Sequence, residues 1–129
     1  MQLSKGYKRD AGNDIILDDD VWFPARQMTI VNLGKLPAPL PPTVCGIIAP
    51  RSSAAQKGLL IANCPIDSDY CGDVHAMVYN TSDDVVYYPK NSAFCQLVIY
   101  KVVYDESIKE RKHGFRSDGA FGSTNKEDK

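Results

Sequence analysis

Three short segments of this 129-residue sequence gather side chains suited to phosphate chemistry. The first is Arg116-Ser117-Asp118-Gly119-Ala120-Phe121-Gly122-Ser123-Thr124, near the C-terminus. Its glycines let backbone N–H groups approach phosphate oxygens, and the hydroxyls of Ser123 and Thr124 can donate to them. Arg116 can pair with them bidentately, and Phe121 offers a ring face on which a base can stack. The set suits a nucleotide, although the Gly-Lys-Ser/Thr core of a P-loop is missing. The second segment, Ala49-Pro50-Arg51-Ser52-Ser53-Ala54-Ala55-Gln56-Lys57-Gly58, sets an arginine beside adjacent hydroxyls directly after an apolar run. It reads as a phosphate grip or as a helical turn capped by Ser52 or Ser53. The two readings are compatible, because a helix N-terminus attracts anions. The third, Ile66-Asp67-Ser68-Asp69-Tyr70-Cys71-Gly72-Asp73, surrounds a tyrosine with three carboxylates. Such groups can activate water or hold magnesium, but acidic turns between strands are commonly no more than solvated connections.

The elements that must position these segments are short. Eight prolines and nine glycines divide the chain, and no stretch before residue 104 keeps a helical period, so the sequence predicts an all-β fold. Strands are expected over 14–17, 27–32, 44–48, 59–62, 74–79, 85–88 and 93–103. In Val74-His75-Ala76-Met77-Val78-Tyr79, Val, Ala and Val share one face and His, Met and Tyr the other. Pro37-Ala38-Pro39-Leu40-Pro41-Pro42 has fixed φ angles that suit an extended connector between strands better than a ladder strand. Trp22-Phe23-Pro24 is expected to pack at a strand start or a subunit interface. The composition of residues 113–129 is that of a mobile arm with too little apolar surface to order alone. A single β-domain over residues 1–112 followed by this arm is the expected organisation.

Fifteen basic and sixteen acidic side chains leave a net charge of −1, which argues against non-specific attraction to nucleic acid or to an anionic membrane. No apolar run approaches the length of a signal peptide or membrane span, so a soluble protein of the cytoplasm, or of a host cell's interior if viral, is expected. Cys45, Cys64, Cys71 and Cys95 contain no C-x-x-C pair. Buried free thiols are expected rather than disulfides or zinc.

The three segments occur in an order that resembles the trimeric deoxyuridine triphosphate nucleotidohydrolases, the dUTPases. Five motifs can be laid along nearly the whole chain. Asp10-Ala11-Gly12-Asn13-Asp14-Ile15 resembles the first, residues 49–58 the second, residues 66–72 the third, Ala93-Phe94-Cys95-Gln96-Leu97 the fourth and residues 116–124 the fifth. The second, third and fifth are the specific matches, and their order and spacing weigh more than any one alone.

The resemblance implies a distorted jelly-roll or β-clip sandwich, assembled as a homotrimer with active sites shared between subunits and a C-terminal arm closing over them. It implies a magnesium-dependent diphosphatase that cleaves dUTP to dUMP and pyrophosphate by attack of water on the α-phosphorus. Carried over by position, Asp67 is the general base. Tyr70 packs under the deoxyribose. Arg51, Ser52, Ser53 and Gln96 hold phosphates, and Asp14 meets the metal through water. Asn63 lies in the hairpin that reads the base, Phe121 stacks on uracil, and Arg116, Gly122, Ser123 and Thr124 complete the phosphate site. Asn13, Cys71, Ala93, Ala120 and Asn125 depart from the family pattern. Only eight residues separate Gly58 from Asp67, about two fewer than the resemblance calls for, which shortens the base-reading hairpin. Two alternatives follow: altered pyrimidine specificity (dCTP or a 5-substituted dUTP), or a nucleotide-gated interaction module with a protein partner.

Overall fold

The structure, a computed structural model, describes residues 1–111. Alternation along β7 (Asp73–Asn80) shows how the sequence builds it: Val74, Ala76 and Val78 are buried, His75 and Met77 half-buried, and Tyr79 exposed. This is the face assignment that a period of two requires. β7 is the centre of a three-stranded sheet in the order β4-β7-β6, with β4 spanning Met28–Lys35 and β6 Leu59–Ile61. A four-stranded sheet takes the order β1-β2-β9-β5, from Gln2–Ser4, Gly12–Ile16, Cys95–Lys101 and Val44–Pro50. A two-stranded ribbon joins β3 (Val21–Phe23) to β8 (Val86–Tyr88). The named pairings are all antiparallel.

One core serves all three sheets. Ile15, Ile48 and Leu97 come from the four-stranded sheet, Val31, Leu59 and Val78 from the three-stranded one, and Phe23, Val86 and Tyr88 from the ribbon. Phe23 packs edge-on against Phe94 at 5.0 Å between ring centroids. Burying such side chains contributes roughly 1.5–3 kcal/mol each before entropy is counted.

The expected strands are present with shifted ends, and two more appear. β1 and β3 are three residues each, too short to show a period, and β3 lies between three aspartates and Pro24. β9 begins at Cys95 rather than Ala93 because the carbonyls of Ala93 and Phe94 accept hydrogen bonds from Arg51 instead of from a strand partner. The proline segment links β4 to β5, crossing from one sheet to the other as a connector. Of the cysteines expected to be buried, only Cys95 is. Cys45 is half-buried, and Cys64 and Cys71 are exposed where they flank the acidic turn. No helix among the described residues is long and apolar enough to cross a membrane.

Candidate active site

The antiparallel sheet brings three distant segments to one place. β9 lies between β2 and β5, so Gln96 stands opposite Asp14 on one side and Ala49 on the other. Directly opposed residues share a face of the sheet, and Arg51 follows two positions after Ala49. The side chains of Asp14, Gln96 and Arg51 therefore converge although 82 positions separate the first from the second (96 − 14).

Arg51 is braced from two sides. Its Nε lies 3.3 Å from Oδ1 of Asp14, and its Nη1 donates to the carbonyl of Ala93 at 3.1 Å. Its own backbone N–H donates to the carbonyl of Phe94 at 2.9 Å. The side chain remains 42% exposed, and a guanidinium has five N–H donors, so capacity is left for an incoming anion. Gln96 Nε2 donates to the carbonyl of Pro50 at 3.1 Å, which ties β9 to the residue preceding Arg51.

Gly12 makes room for that tie. A Cβ on Gly12 would stand 2.9 Å from Cδ of Gln96 and nearer still to its Oε1. Replacement of Gly12 by alanine is expected to drive Gln96 out of position and leave the Pro50 carbonyl without its donor, a loss of about 1 kcal/mol. The expected result is a substrate KM raised about fivefold to tenfold beside a melting temperature lowered by roughly 3–5 °C. Steady-state kinetics beside a thermal melt will check it, and an unchanged KM would dismiss the strut.

Helix α1 (Ser52–Gln56) begins immediately after β5, with Arg51 as its N-cap residue and no side-chain cap. The expectation that Ser52 or Ser53 caps this turn is therefore corrected. Both serines lie inside the first turn and are exposed, while buried Ala54 anchors it. Their hydroxyls are not used in capping. The helix ends at Gly58, whose φ of 97° belongs to the left-handed region that glycine adopts without strain. Beneath the site, burial first and the nearby charge of Asp14 second push the Cys95 thiol up to about 12, so it stays protonated and non-nucleophilic at neutral pH.

The acidic segment forms a separate structure. The N–H of Tyr70 approaches the carbonyl of Asp67 at 3.4 Å, and Asp69 between them has a φ of 63°, a conformation that aspartate tolerates better than most residues. The N–H of Asp69 donates to the Leu40 carbonyl at 3.1 Å, anchoring the turn on the proline connector. The Tyr70 hydroxyl donates to the Asp73 carbonyl at 2.8 Å, which fixes its ring over the loop. Asp67 and Asn63 are exposed, and Tyr70 is half-buried.

The two groups lie apart within the chain. Ile66 forms an antiparallel bridge with Gly46 of β5, and Gly46 precedes Arg51 by five positions, roughly 17 Å along an extended strand. The antiparallel sense carries Asp67 toward Cys45, farther from Arg51. The structure thus brings together Asp14, Arg51, Ser52, Ser53 and Gln96, and separately Asp67 and Tyr70. Arg116, Phe121, Gly122, Ser123 and Thr124, like the arm over 113–129, lie outside the described residues. The sequence reading missed the brace from the Ala93 carbonyl, since a backbone group has no signature, and assigned no role to Gly12.

Among the described residues no group of three His, Cys, Asp or Glu side chains could hold a metal, and Asp14 is already paired with Arg51. This donor set fits a magnesium ion that brings most of its ligands from phosphates and water, not an all-protein cage.

Residues 2–125 match the dUTPase family model. The chain is 34% identical over 123 residues to the deoxyuridine 5'-triphosphate nucleotidohydrolase of Paramecium bursaria Chlorella virus 1, covering 93% of this chain and 86% of that protein. It is 32% identical over 117 residues to the Pol polyprotein of Ovine maedi visna related virus (strain South Africa), which covers 89% of this chain but 11% of the polyprotein. Its fold is similar to that of a point mutant of the dUTPase from phage phi11 of S. aureus, with a TM-score of 0.70, 18% identity and coverage of 87% of this chain and 90% of that one. That phage structure coordinates a structural Mg(II) ion.

Proposed function

The chain belongs to the dUTPase family, and from that premise we propose that it is a dUTP diphosphatase releasing dUMP and pyrophosphate by attack of water on the α-phosphorus. The observation that carries this reading is the convergence of Asp14, Gln96 and Arg51 at one sheet end, with the exposed hydroxyls of Ser52 and Ser53 beside them. This is a polyphosphate grip built from three sequence-distant segments. Arg51 neutralises charge that develops on the leaving phosphates, and because Asp14 and Ala93 already hold it, it need not reorganise during reaction. Asp67 orients the attacking water and takes its proton. The ring of Tyr70 supports the sugar and excludes a 2′-hydroxyl. Arg116, Ser123 and Thr124 close on the distal phosphates, and Phe121 covers the base.

Asp14, through water, would help hold a magnesium ion carried in by the substrate phosphates, and that ion would supply Lewis-acid stabilisation of the pyrophosphate leaving group. The separation of Asp67 from Arg51 supports a homotrimer whose sites are completed between subunits. Exposed Val103 and Ile108, at 97% and 71%, supply apolar surface for such an assembly. We place the protein in the cytoplasm, or in the interior of a host cell if it is viral.

Pyrophosphate release measured with magnesium across dUTP, dCTP, dTTP, UTP and 5-substituted dUTPs tests the reading. Turnover confined to dUTP is the expected result. A preference for another pyrimidine would make the short segment between Gly58 and Asp67 the determinant of base choice, and absence of turnover on every nucleotide would overturn the enzymatic reading.

A further inference from the structure

The ribbon of β3 and β8 carries an apolar surface that the nucleotide site does not use. Phe23, Val86 and Tyr88 point into the core, whereas Trp22, Val85 and Tyr87 are 56%, 60% and 45% exposed. The register sets Trp22 directly opposite Tyr87, and their rings stack at 5.0 Å with 29° between planes. The outer face of an antiparallel pair is ordinarily polar when water covers it. Here it holds the single tryptophan of the chain, and a contiguous exposed apolar patch rimmed by polar groups marks a contact surface.

The rim is acidic. Asp18, Asp19 and Asp20 lead into β3, and Asp83 and Asp84 lead toward β8, all of them exposed. Asp20 reaches the patch itself. Its Oδ1 accepts the Lys90 N–H at 2.8 Å, and partial desolvation followed by this carboxylate raises the Tyr87 phenol above its usual range. Against these five carboxylates stand Arg26, paired with Asp83 at 2.9 Å, and Lys90. The border therefore sums to −3 (two positive, five negative), while the whole chain sums to only −1.

We propose that this face docks an arginine-bearing segment of a partner protein, with a guanidinium seated on the Trp22 ring and paired to the carboxylates beside it. Aromatic faces attract cations. Arginine, unlike lysine, stacks on a ring and also pairs bidentately with carboxylates. The negative border repels nucleic acid and anionic lipid, which leaves a basic polypeptide as the complementary occupant. The site lies on different strands from the phosphate grip, so the proposal stands independently of the nucleotide chemistry.

Because Trp22 is the only tryptophan, its emission reports occupancy directly. The full-length protein is titrated with a synthetic Arg-Gly repeat peptide, with Lys-Gly and Glu-Gly repeats of equal length as controls. The expected result is a saturable change with Arg-Gly, binding about twofold to fivefold weaker with Lys-Gly, and none with Glu-Gly. The triple variant Asp18→Asn, Asp19→Asn, Asp20→Asn keeps an oxygen for the Lys90 N–H and is expected to bind Arg-Gly roughly tenfold more weakly. Trp22→Ala, followed by anisotropy of a labelled peptide, is expected to bind about twofold to fivefold more weakly. Both variants retain wild-type dUTP turnover. No saturable response, an equal response to Glu-Gly, or an emission change driven by protein concentration alone, which would mean that a second copy covers the face, overturns the proposal.

Discussion

Replacement of Asp67 by asparagine is expected to lower kcat for dUTP by about 10²–10⁴-fold, the range over which a positioned general base contributes. The substitution keeps the size and shape of the side chain, and Asp67 is exposed on its turn, so stability should change by no more than about 0.5 kcal/mol. The turn is closed by the backbone contact from Tyr70 to the Asp67 carbonyl, and it is anchored by the Asp69 N–H on Leu40. A large loss of turnover with an unchanged melting temperature and an unchanged affinity for a non-hydrolysable dUTP analogue would assign Asp67 to chemistry and not to binding. Pyrophosphate release in single-turnover conditions is the measurement. Retention of more than a tenth of wild-type kcat would remove Asp67 from the role of base.

Much of this site is legible in the sequence because side-chain type carries chemistry directly. Arg51, Asp67 and Tyr70 stand out as candidates by kind and order, Gln96 only through the family resemblance, and the period of two along residues 74–79 gives the correct core face of β7. The less legible features share a physical cause: they depend on backbone groups or on distance across the fold. Arg51 rather than a serine occupies the N-cap position of α1, which has no side-chain cap. The role of Gly12 emerges only when β2 lies beside β9 and Gln96 fills the space a Cβ would take. Cys64 and Cys71 resemble core thiols by residue type, yet the acidic turn they flank leaves both exposed. The ribbon strand β3 is hidden because a three-residue strand beside three aspartates leaves no periodic signal.

Distance within the fold bears on whether the proposed site is shared between subunits. Within one chain the bridge from Ile66 to Gly46 holds the Asp67 turn far along β5 from Arg51. If neighbouring subunits complete each site, two inactive variants must restore one another. Arg51→Ala removes the grip and Asp67→Asn removes the base, so each alone is expected to be nearly inactive. In a mixed trimer, one arrangement pairs an intact Arg51 from the Asp67→Asn chain with an intact Asp67 from the Arg51→Ala chain. With equal amounts and random assembly, the probability of that pairing at a site is one half times one half. Mixing by denaturation and refolding is therefore expected to recover about a quarter of wild-type turnover in a closed symmetric oligomer. Sites contained within single chains give a different result, because every site then carries one lesion whatever its neighbours are and mixing recovers nothing. The recovery separates the two arrangements by a signal far larger than the residual activity of either variant, and a mixture no more active than its components would place the whole site within one subunit.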